Sequence, residues 1–224
     1  MKVEINIPES LNDITLEQYQ RFLSIEQPTN EDLLSCFLNI NLEAINKINW
    51  SKFDEYVATI NGLFDVKQEH QLRFVLNGVE FGFIPNLDVI SYGENKDITT
   101  YVNDWQSMNK AMAVLYRPIK QQQGKKYLIE EYDGSSKYSE FMKQMPLGIV
   151  MGSMLFFWHL TNELLNCIPN YLEKEMEKQT KIGLISAENG EAIRNLTASL
   201  KVTLAELSEL TKRPQLVNIL YTDA

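Results

Sequence analysis

The chain has 224 residues, of which 44% are hydrophobic and 23% charged, and its formal net charge at pH 7 is −9. This length and apolar share suit one large globular domain or two small ones. The negative charge argues against nucleic acid as a partner. The densest basic run, Lys120 to Lys126, is glutamine-rich and followed by two glutamates, a composition that favours a solvated loop.

Cofactors, metals and membranes are likewise not expected. Cys36 and Cys167 lie far apart without CxxC or Cys/His spacing, which argues against a zinc site or a disulfide framework and favours a reducing compartment. The N-terminus has no apolar core of signal-peptide length. Leu147 to Leu160 is strongly apolar but shorter than the about 20 residues that a membrane span needs, so we predict a buried helix.

The first third of the chain predicts a short strand followed by four helices. Val3, Ile5 and Ile7 alternate with polar residues, which indicates the strand. Thr15 and Gln18 form a capping box before a helix from about Leu16 to Ile25. Apolar residues at helical spacing mark the others: Leu33, Leu34, Phe37 and Leu38; then Leu42, Ile45 and Ile48; then Phe53, Val57, Ile60, Leu63 and Phe64 with Ser51 as cap.

A β-hairpin is predicted around Asn77 and Gly78, because these residues suit the two positive-φ positions of a type I′ turn. The expected register pairs Leu76 with Val79, Phe74 with Phe81 and Leu72 with Phe83, with all six side chains on one face. Helices should cover this face. His70, just before the hairpin, is expected to be exposed.

The middle of the chain leads to a stretch with the sequence MNKAMAVLYRPI, Met108 to Ile119. Before it, the polar segment SYGENKD predicts a connection with a turn at Gly93, and Ile98 to Trp105 predicts a helix that runs into the stretch. Arg117 precedes Pro118, and a residue before proline avoids the α region. The helix should therefore end here, and Tyr116 to Ile119 should be extended.

Arg117 has two interpretations. Its guanidinium is either buried in an ion pair with a carboxylate, with Glu94 or Asp97 as candidate partners, or exposed as a contact for another protein. Burial statistics for charged residues in apolar runs favour the structural interpretation. Glu94, Tyr116, Arg117 and Pro118 are thus the candidate interaction or structural residues.

The segments Leu115 to Ile119 and Tyr127 to Ile129 are candidates for a second hairpin, with Gln121 to Lys126 as its loop. A short helix is predicted around Tyr138 to Met142. Pro146 then begins a helix whose body is Leu147 to Cys167. Its Gly148 and Gly152, at GxxxG spacing, indicate close contact with another helix.

Taken together, these patterns predict an α+β fold, mainly helical, with one or two β-hairpins packed against a helical core and the helix from Leu147 at its centre. We place a compact body at residues 1–180 and a helical C-terminal tail at 181–224. Leucines at spacings of three and four in the tail fit either a partner-binding seam or packing onto the chain's own body.

No catalytic signature is present in the sequence. His70 and His159, the two histidines, lie in no recognisable motif, and the phosphate-binding patterns GxxxxGK[ST] and GxGxxG do not occur. An enzyme would need a pocket assembled from distant residues such as Arg117, Tyr116, Glu94 or His159. We therefore do not expect an enzyme, and we expect neither a cofactor nor a metal site.

Four blocks together resemble a known group of proteins. They are INIPESLNDITLEQYQ at Ile5 to Gln20, GVEFGFIPNLDVISYGE at Gly78 to Glu94, MNKAMAVLYRPI, and MPLGIVMGSMLFFWHLTNELLN at Met145 to Asn166. In this order they resemble small tail-assembly and baseplate morphogenesis proteins of tailed bacteriophages, especially those of Bacteroidetes, including tail assembly chaperones. The similarity covers roughly residues 1–170 and transfers no residue roles.

The resemblance implies a non-enzymatic protein of the bacterial host cytoplasm during infection that binds tail, tape-measure or baseplate proteins, with a homo-oligomer as a further option. Two alternatives remain open. A permanent virion component of tail, neck or head would share the genomic setting but stay in the particle. An enzyme with a non-contiguous site is the alternative from a different class.

Overall fold

The structure is a computed structural model that describes residues 5–157, 159 and 174. Its fold is α+β and mainly helical, as the sequence predicts. The helices are α1 Leu16–Leu23, α2 Asn30–Leu38, α3 Leu42–Ile45, α4 Trp50–Asp65, α5 Tyr92–Tyr101, α6 Met108–Leu115, α7 Ser136–Met142 and α8, which begins at residue 147 and is described to residue 157. The strands are β1 Arg73–Leu76, β2 Val79–Phe83, β3 Tyr116–Gln123 and β4 Lys126–Ile129.

One compact unit ends at Ser153, and a second begins at Met154. The second unit is described only at residues 154–157, 159 and 174, all helical. The predicted boundary near residue 180, the tail at 181–224 and its leucine pattern therefore lie outside the described residues. So does Val3 of the predicted N-terminal strand, and residues 5–8 are not assigned as strand.

Capping residues set the starts of the first four helices. Thr15 and Gln18 form the predicted capping box of α1, and Thr29 with Asp32 forms another at α2. The prediction of Ser51 as the cap of α4 is wrong, because Asn49 caps this helix by accepting the N–H of Ser51 through its side chain. A cap side chain satisfies N–H groups that have no partner within the helix, so these residues fix where each helix begins.

The first hairpin has the predicted turn. Asn77 and Gly78 adopt φ of 48° and 80°, and the register pairs Phe74 with Phe81 and Leu76 with Val79. The Phe83 N–H also donates to the Leu72 carbonyl. The prediction that all six paired side chains are covered is wrong, because Leu72 and Val79 remain exposed at the ends of the ladder.

The second hairpin is also present, and it joins the first. β2 pairs with β3 from Phe81↔Pro118 to Phe83↔Tyr116, so the sheet is an antiparallel meander in the order β1-β2-β3-β4. The predicted loop from Gln121 to Lys126 is shorter than expected. β3 continues to Gln123 and β4 starts at Lys126, so only Gly124, with φ of 61°, and Lys125 connect them.

An aromatic cluster covers the inner face of the sheet. The Tyr116 ring contacts Phe74 and Phe83 edge-on, with centroids 5.2 Å apart in both cases, and Phe81 stacks beside Phe74 at 5.5 Å. All four side chains are buried. Such edge-to-face and offset contacts add to the stability gained by burying aromatic surface.

Helix α8 is buried over residues 147–153, as expected of a core helix. Its start is joined to the N-terminal region: the Leu16 N–H donates to the Met145 carbonyl, and the Leu147 N–H donates to the Ile14 carbonyl. None of the helices within the described residues has the length and apolar character that crossing a bilayer requires.

The two glycines of α8 do permit a close approach, but not to another helix as predicted. A Cβ at Gly152 would lie 2.2 Å from the backbone oxygen of Glu69, and one at Gly148 would lie 2.5 Å from the side-chain oxygen of Asn12 and 2.8 Å from that of Gln68. Asn12 lies in a one-turn 3-10 helix, Leu11–Asp13, before α1, whereas Gln68 and Glu69 lie in the irregular segment after α4. The glycines therefore seat α8 against loop backbone and polar side chains.

Candidate functional site

The candidate site lies where helix α5 meets strand β3. The prediction of SYGENKD as a connection is wrong, because α5 begins at Tyr92 and ends at Tyr101. Ser91 is its N-cap and Glu94 completes a capping box: the Ser91 N–H donates to Glu94 Oε2 at 2.6 Å, and the Glu94 N–H donates to Ser91 Oγ at 3.2 Å. One oxygen of the Glu94 carboxylate is thus committed to the start of the helix.

The other carboxylate oxygen of Glu94 binds Arg117. Arg117 Nη2 donates to Glu94 Oε1 at 2.5 Å, and the two side chains are 8% and 9% exposed. Of the two partners suggested by the sequence, Glu94 is therefore the one that the structure places against Arg117. The ion pair joins the first turn of α5 to β3 across 23 positions of sequence.

Asp97, the other candidate partner, belongs to the same cluster through a tyrosine. The Tyr132 hydroxyl donates to Asp97 Oδ2, and the Arg117 guanidinium carbon lies 5.7 Å from the centroid of the Tyr132 ring. Arg117 is thus held by a carboxylate and a cation–π contact. Burial and the hydrogen bond to Asp97 raise the pKa of Tyr132 above its ordinary value, so Tyr132 is a neutral donor.

Only part of the guanidinium is used. Arg117 Nε is buried, and no acceptor among the described residues receives its N–H. The ion pair is therefore made through one nitrogen rather than through the two parallel bonds that guanidinium and carboxylate groups often form. Its strength rests on burial and on the one short hydrogen bond.

The capping and ion-pair contacts determine the ionisation of Glu94. Burial alone would raise the pKa of this carboxyl, but the hydrogen bonds from Ser91 and the charge and hydrogen bond of Arg117 together lower it below its ordinary value. Glu94 is consequently charged at neutral pH. A buried carboxylate in this state needs a cation beside it.

The lowered pKa of Glu94 predicts sensitivity to acid. A group whose pKa is lower in the folded than in the unfolded state stabilises the fold fully above its unfolded pKa, about 4.3, and this contribution is lost as the pH falls through the folded-state pKa. The free energies of unfolding of the wild type and of E94Q should therefore converge as the pH is lowered from about 6 to about 3. Urea denaturation at several pH values measures this, and a constant difference would contradict the assignment.

Tyr116 and Arg117 point to opposite faces of the sheet, because neighbouring residues in a strand do so. The Tyr116 side chain is fully buried on the inner face, where its hydroxyl donates to the Gln71 carbonyl at 2.6 Å and lies 2.8 Å from Ser153 Oγ. Burial raises the pKa of Tyr116 above its ordinary value. Pro118 is half-buried opposite Phe81.

The structure thus does not place the candidate residues Glu94, Tyr116 and Arg117 on one side of β3. Glu94 and Arg117 form a pair on one side of β3, and Tyr116 is part of the core on the other. His159 belongs to the second unit. His70, expected to be exposed, is half-buried and meets the Phe83 ring edge-on at 4.5 Å. Within residues 5–157, no three His, Cys, Asp or Glu side chains are grouped so that they could hold a metal ion.

Large apolar side chains are exposed next to the ion pair. Val89 and Tyr92 are 76% and 82% exposed, and they lie on residues 89–92, which we call the α5 corner. Tyr92 is the first residue of α5, directly after the cap Ser91. This surface was not predicted from the sequence, because the polar segment SYGENKD indicated a connection rather than the start of a helix.

A second exposed aromatic group lies at the start of α4. Trp50 is 77% exposed, and its ring stacks on Phe53 with centroids 6.0 Å apart. Single exposed apolar residues are common on protein surfaces. Tryptophan and tyrosine, however, are the residues most often found at the energetic centres of protein–protein interfaces.

Comparisons of the chain with protein-family models, curated proteins and solved structures found no match in any of the three. The resemblance to phage morphogenesis proteins therefore stays a prediction from the sequence blocks.

Proposed function

We propose that the protein is a non-enzymatic morphogenesis protein of a tailed bacteriophage, one that binds a tail, tape-measure or baseplate protein during virion assembly in the host cytoplasm. The observation that carries the proposal is the α5 corner, which presents Val89 and Tyr92 to solvent while the buried Glu94–Arg117 pair fixes the backbone behind them. Arg117 itself is buried, so its interpretation as an exposed contact is wrong, and its ion pair with Glu94 instead supports the neighbouring backbone.

A fixed surface suits a binding protein for an energetic reason. Ordering a loop or side chain on association opposes binding, so a surface that is already ordered binds more tightly for the same contacts. A tyrosine adds a large apolar ring and a polar hydroxyl at little conformational cost. The net charge of −9 favours solubility and a partner with basic groups around its binding site.

The partner is tested in two samples. The tagged protein is co-expressed with the phage tail, tape-measure and baseplate proteins and captured from the lysate, and purified mature particles are analysed by mass spectrometry. Capture in the lysate with absence from particles supports an assembly chaperone. Retention in particles at a fixed stoichiometry would make the protein a permanent virion component, and failure to find it in either sample would contradict the proposal.

The α5 corner itself is tested with a double variant. We expect V89S/Y92S to lose most of its partner capture, because two exposed apolar contacts are removed, while its thermal stability stays near that of the wild type. The matched control L42S/V66S also removes two exposed apolar side chains, 54% and 59% exposed, elsewhere in the unit. Equal loss of capture by both variants would show that the corner has no special part.

A further inference from the structure

Strands β3 and β4 extend beyond the rest of the sheet as a two-stranded ribbon, residues 119–129. β2 pairs with β3 only as far as Pro118, whereas Gln121 to Gln123 pair only with β4 among the described residues. The pairing shifts between Ile119 and Gln121, as at a β-bulge. A bulge bends its strand and increases the local twist.

The base of the ribbon is anchored over β2. The Tyr127 hydroxyl donates to the Phe83 carbonyl at 2.8 Å, and a Cβ at Gly82 would lie 2.5 Å from the Tyr127 ring. Gly82 thus leaves the space in which the ring crosses the strand. The Arg73 guanidinium carbon also lies 5.6 Å from the centroid of the Tyr127 ring. The ribbon is therefore fixed at its base.

The outer part of the ribbon is open on both faces. Residues 120–126 are all exposed, and successive side chains of a strand point to opposite sides. Two strands alone gain little stability from burial. Residues 120–126 are therefore held at their base by Tyr127 but exposed along their length, and they are available to bind another molecule.

The charge of the ribbon is opposite to that of the chain. It carries Lys120, Lys125 and Lys126 and no acidic residue. Lys120 Nζ lies 3.7 Å from Glu130 Oε2, but Glu130 also binds Lys137 and the Tyr138 hydroxyl. Lys125 and Lys126 form no ion pair with any described residue. Three cations therefore extend from a protein whose net charge is −9.

The complementary surface is on the same chain. Residues 5–65, which contain α1 to α4, have ten acidic and three basic residues and so a net charge of −7, whereas residues 66–153 have ten of each and are neutral. Glu26, Glu31 and Glu43 of the helical part are exposed and form no ion pair within the described residues. We use the name acidic helical surface for the exposed side chains of residues 5–65, among which are these three glutamates.

We propose that the β3–β4 ribbon of one copy docks onto the acidic helical surface of a second copy. The contact joins two different surfaces, so it is heterologous and leads to rings or chains rather than to closed symmetric dimers. A second copy fits better than nucleic acid, because phosphates would be repelled by the rest of the chain. This inference is independent of the proposed function.

Sedimentation velocity of the full chain tests the proposal. The wild type should associate at low salt and dissociate at high salt, because salt screens attraction between exposed charges. The reversed-ribbon variant K120E/K125E/K126E and the reversed-helix variant E26K/E31K/E43K should each lose self-association. When the two variants are mixed in equal amounts, association should return, because the ribbon of one now complements the helices of the other.

The control variant K67E/K96E/K110E changes the net charge by the same amount as the reversed-ribbon variant, at exposed lysines outside both the ribbon and residues 5–65. It should associate like the wild type, and a loss here would show that net charge alone is responsible. Circular dichroism checks that each variant is folded. The proposal is overturned if the wild type is monomeric at low salt or if the mixture of the two reversed variants does not associate. A monomeric wild type whose ribbon binds single-stranded RNA would also overturn it.

Discussion

Replacing Arg117 with methionine should lower the free energy of unfolding by about 3–5 kcal/mol, the usual cost of removing one partner of a buried ion pair. The reason is the carboxylate left behind. Glu94 is 7% exposed, and without Arg117 its Oε1 has neither a cation nor a hydrogen-bond donor among the described residues. Chemical denaturation of R117M beside the wild type measures the loss.

The double variant E94Q/R117M tests whether the stability lost in R117M comes from the unpaired Glu94 carboxylate or from the missing arginine side chain. Glutamine is neutral but still accepts the Ser91 N–H, so the start of α5 keeps its capping box. We expect the double variant to recover most of the stability lost in R117M, because no uncompensated charge remains. If it is no more stable than R117M, the loss comes from the missing arginine side chain rather than from an unpaired carboxylate.

The single variants R117A and R117M distinguish a structural role of Arg117 from a catalytic one. A catalytic Arg117 would predict that R117A folds normally and loses turnover of some substrate. A structural Arg117 predicts that R117A and R117M both unfold at lower denaturant concentration. A normal midpoint for both variants would contradict the structural role.

The second large effect is expected at Gly152, where alanine should destabilise the unit by about 1–3 kcal/mol or more, as overpacking of a core does. The new Cβ would lie 2.2 Å from the Glu69 carbonyl oxygen and 2.8 Å from its carbon. Both are backbone atoms, so α8 or the segment after α4 has to move. Thermal or chemical denaturation of G152A measures the effect.

Gly148, one helical turn earlier, provides the matched control. A Cβ there would meet the ends of the Asn12 and Gln68 side chains, and these can rotate because Asn12 is exposed and Gln68 half-buried. Alanine also gains roughly 0.5–1 kcal/mol over glycine within a helix. G148A should therefore be close to the wild type in stability. Equal losses in the two variants would show that helix position, not the Glu69 backbone, sets the cost.

Local sequence signals predicted the elements that depend on neighbouring residues. Thr15 with Gln18 gave the start of α1, and Asn77 with Gly78 gave the first hairpin and two pairs of its register. The start of α5 was missed although Ser91 and Glu94 have capping-box spacing, because the polar composition and Gly93 were given more weight. The pairing of β2 with β3 was missed because no short-range pattern reports contacts between distant segments.

The candidate site was predicted only in part, because local sequence signals indicated Arg117 and Glu94 but not Tyr132. Pro118 forces Arg117 out of the helix, and a charged residue in an apolar stretch indicates a buried partner, which proved to be Glu94. Tyr132 was missed. It follows β4 in an irregular segment that has neither periodicity nor a motif, and its contacts with Asp97 and Arg117 arise only from the fold.

The hydrogen bonds that join Ile14 and Leu16 to Leu147 and Met145 form late in biosynthesis. The first helix leaves the ribosome well before the backbone groups that pair with it, and at about 5–20 residues per second the delay is roughly 7–26 s. During this time Leu16 and Phe22, both buried in the finished unit, are exposed to solvent. The unit therefore closes only after residue 147 has emerged, and a nascent chain stalled before that point is the form most exposed to aggregation and proteolysis.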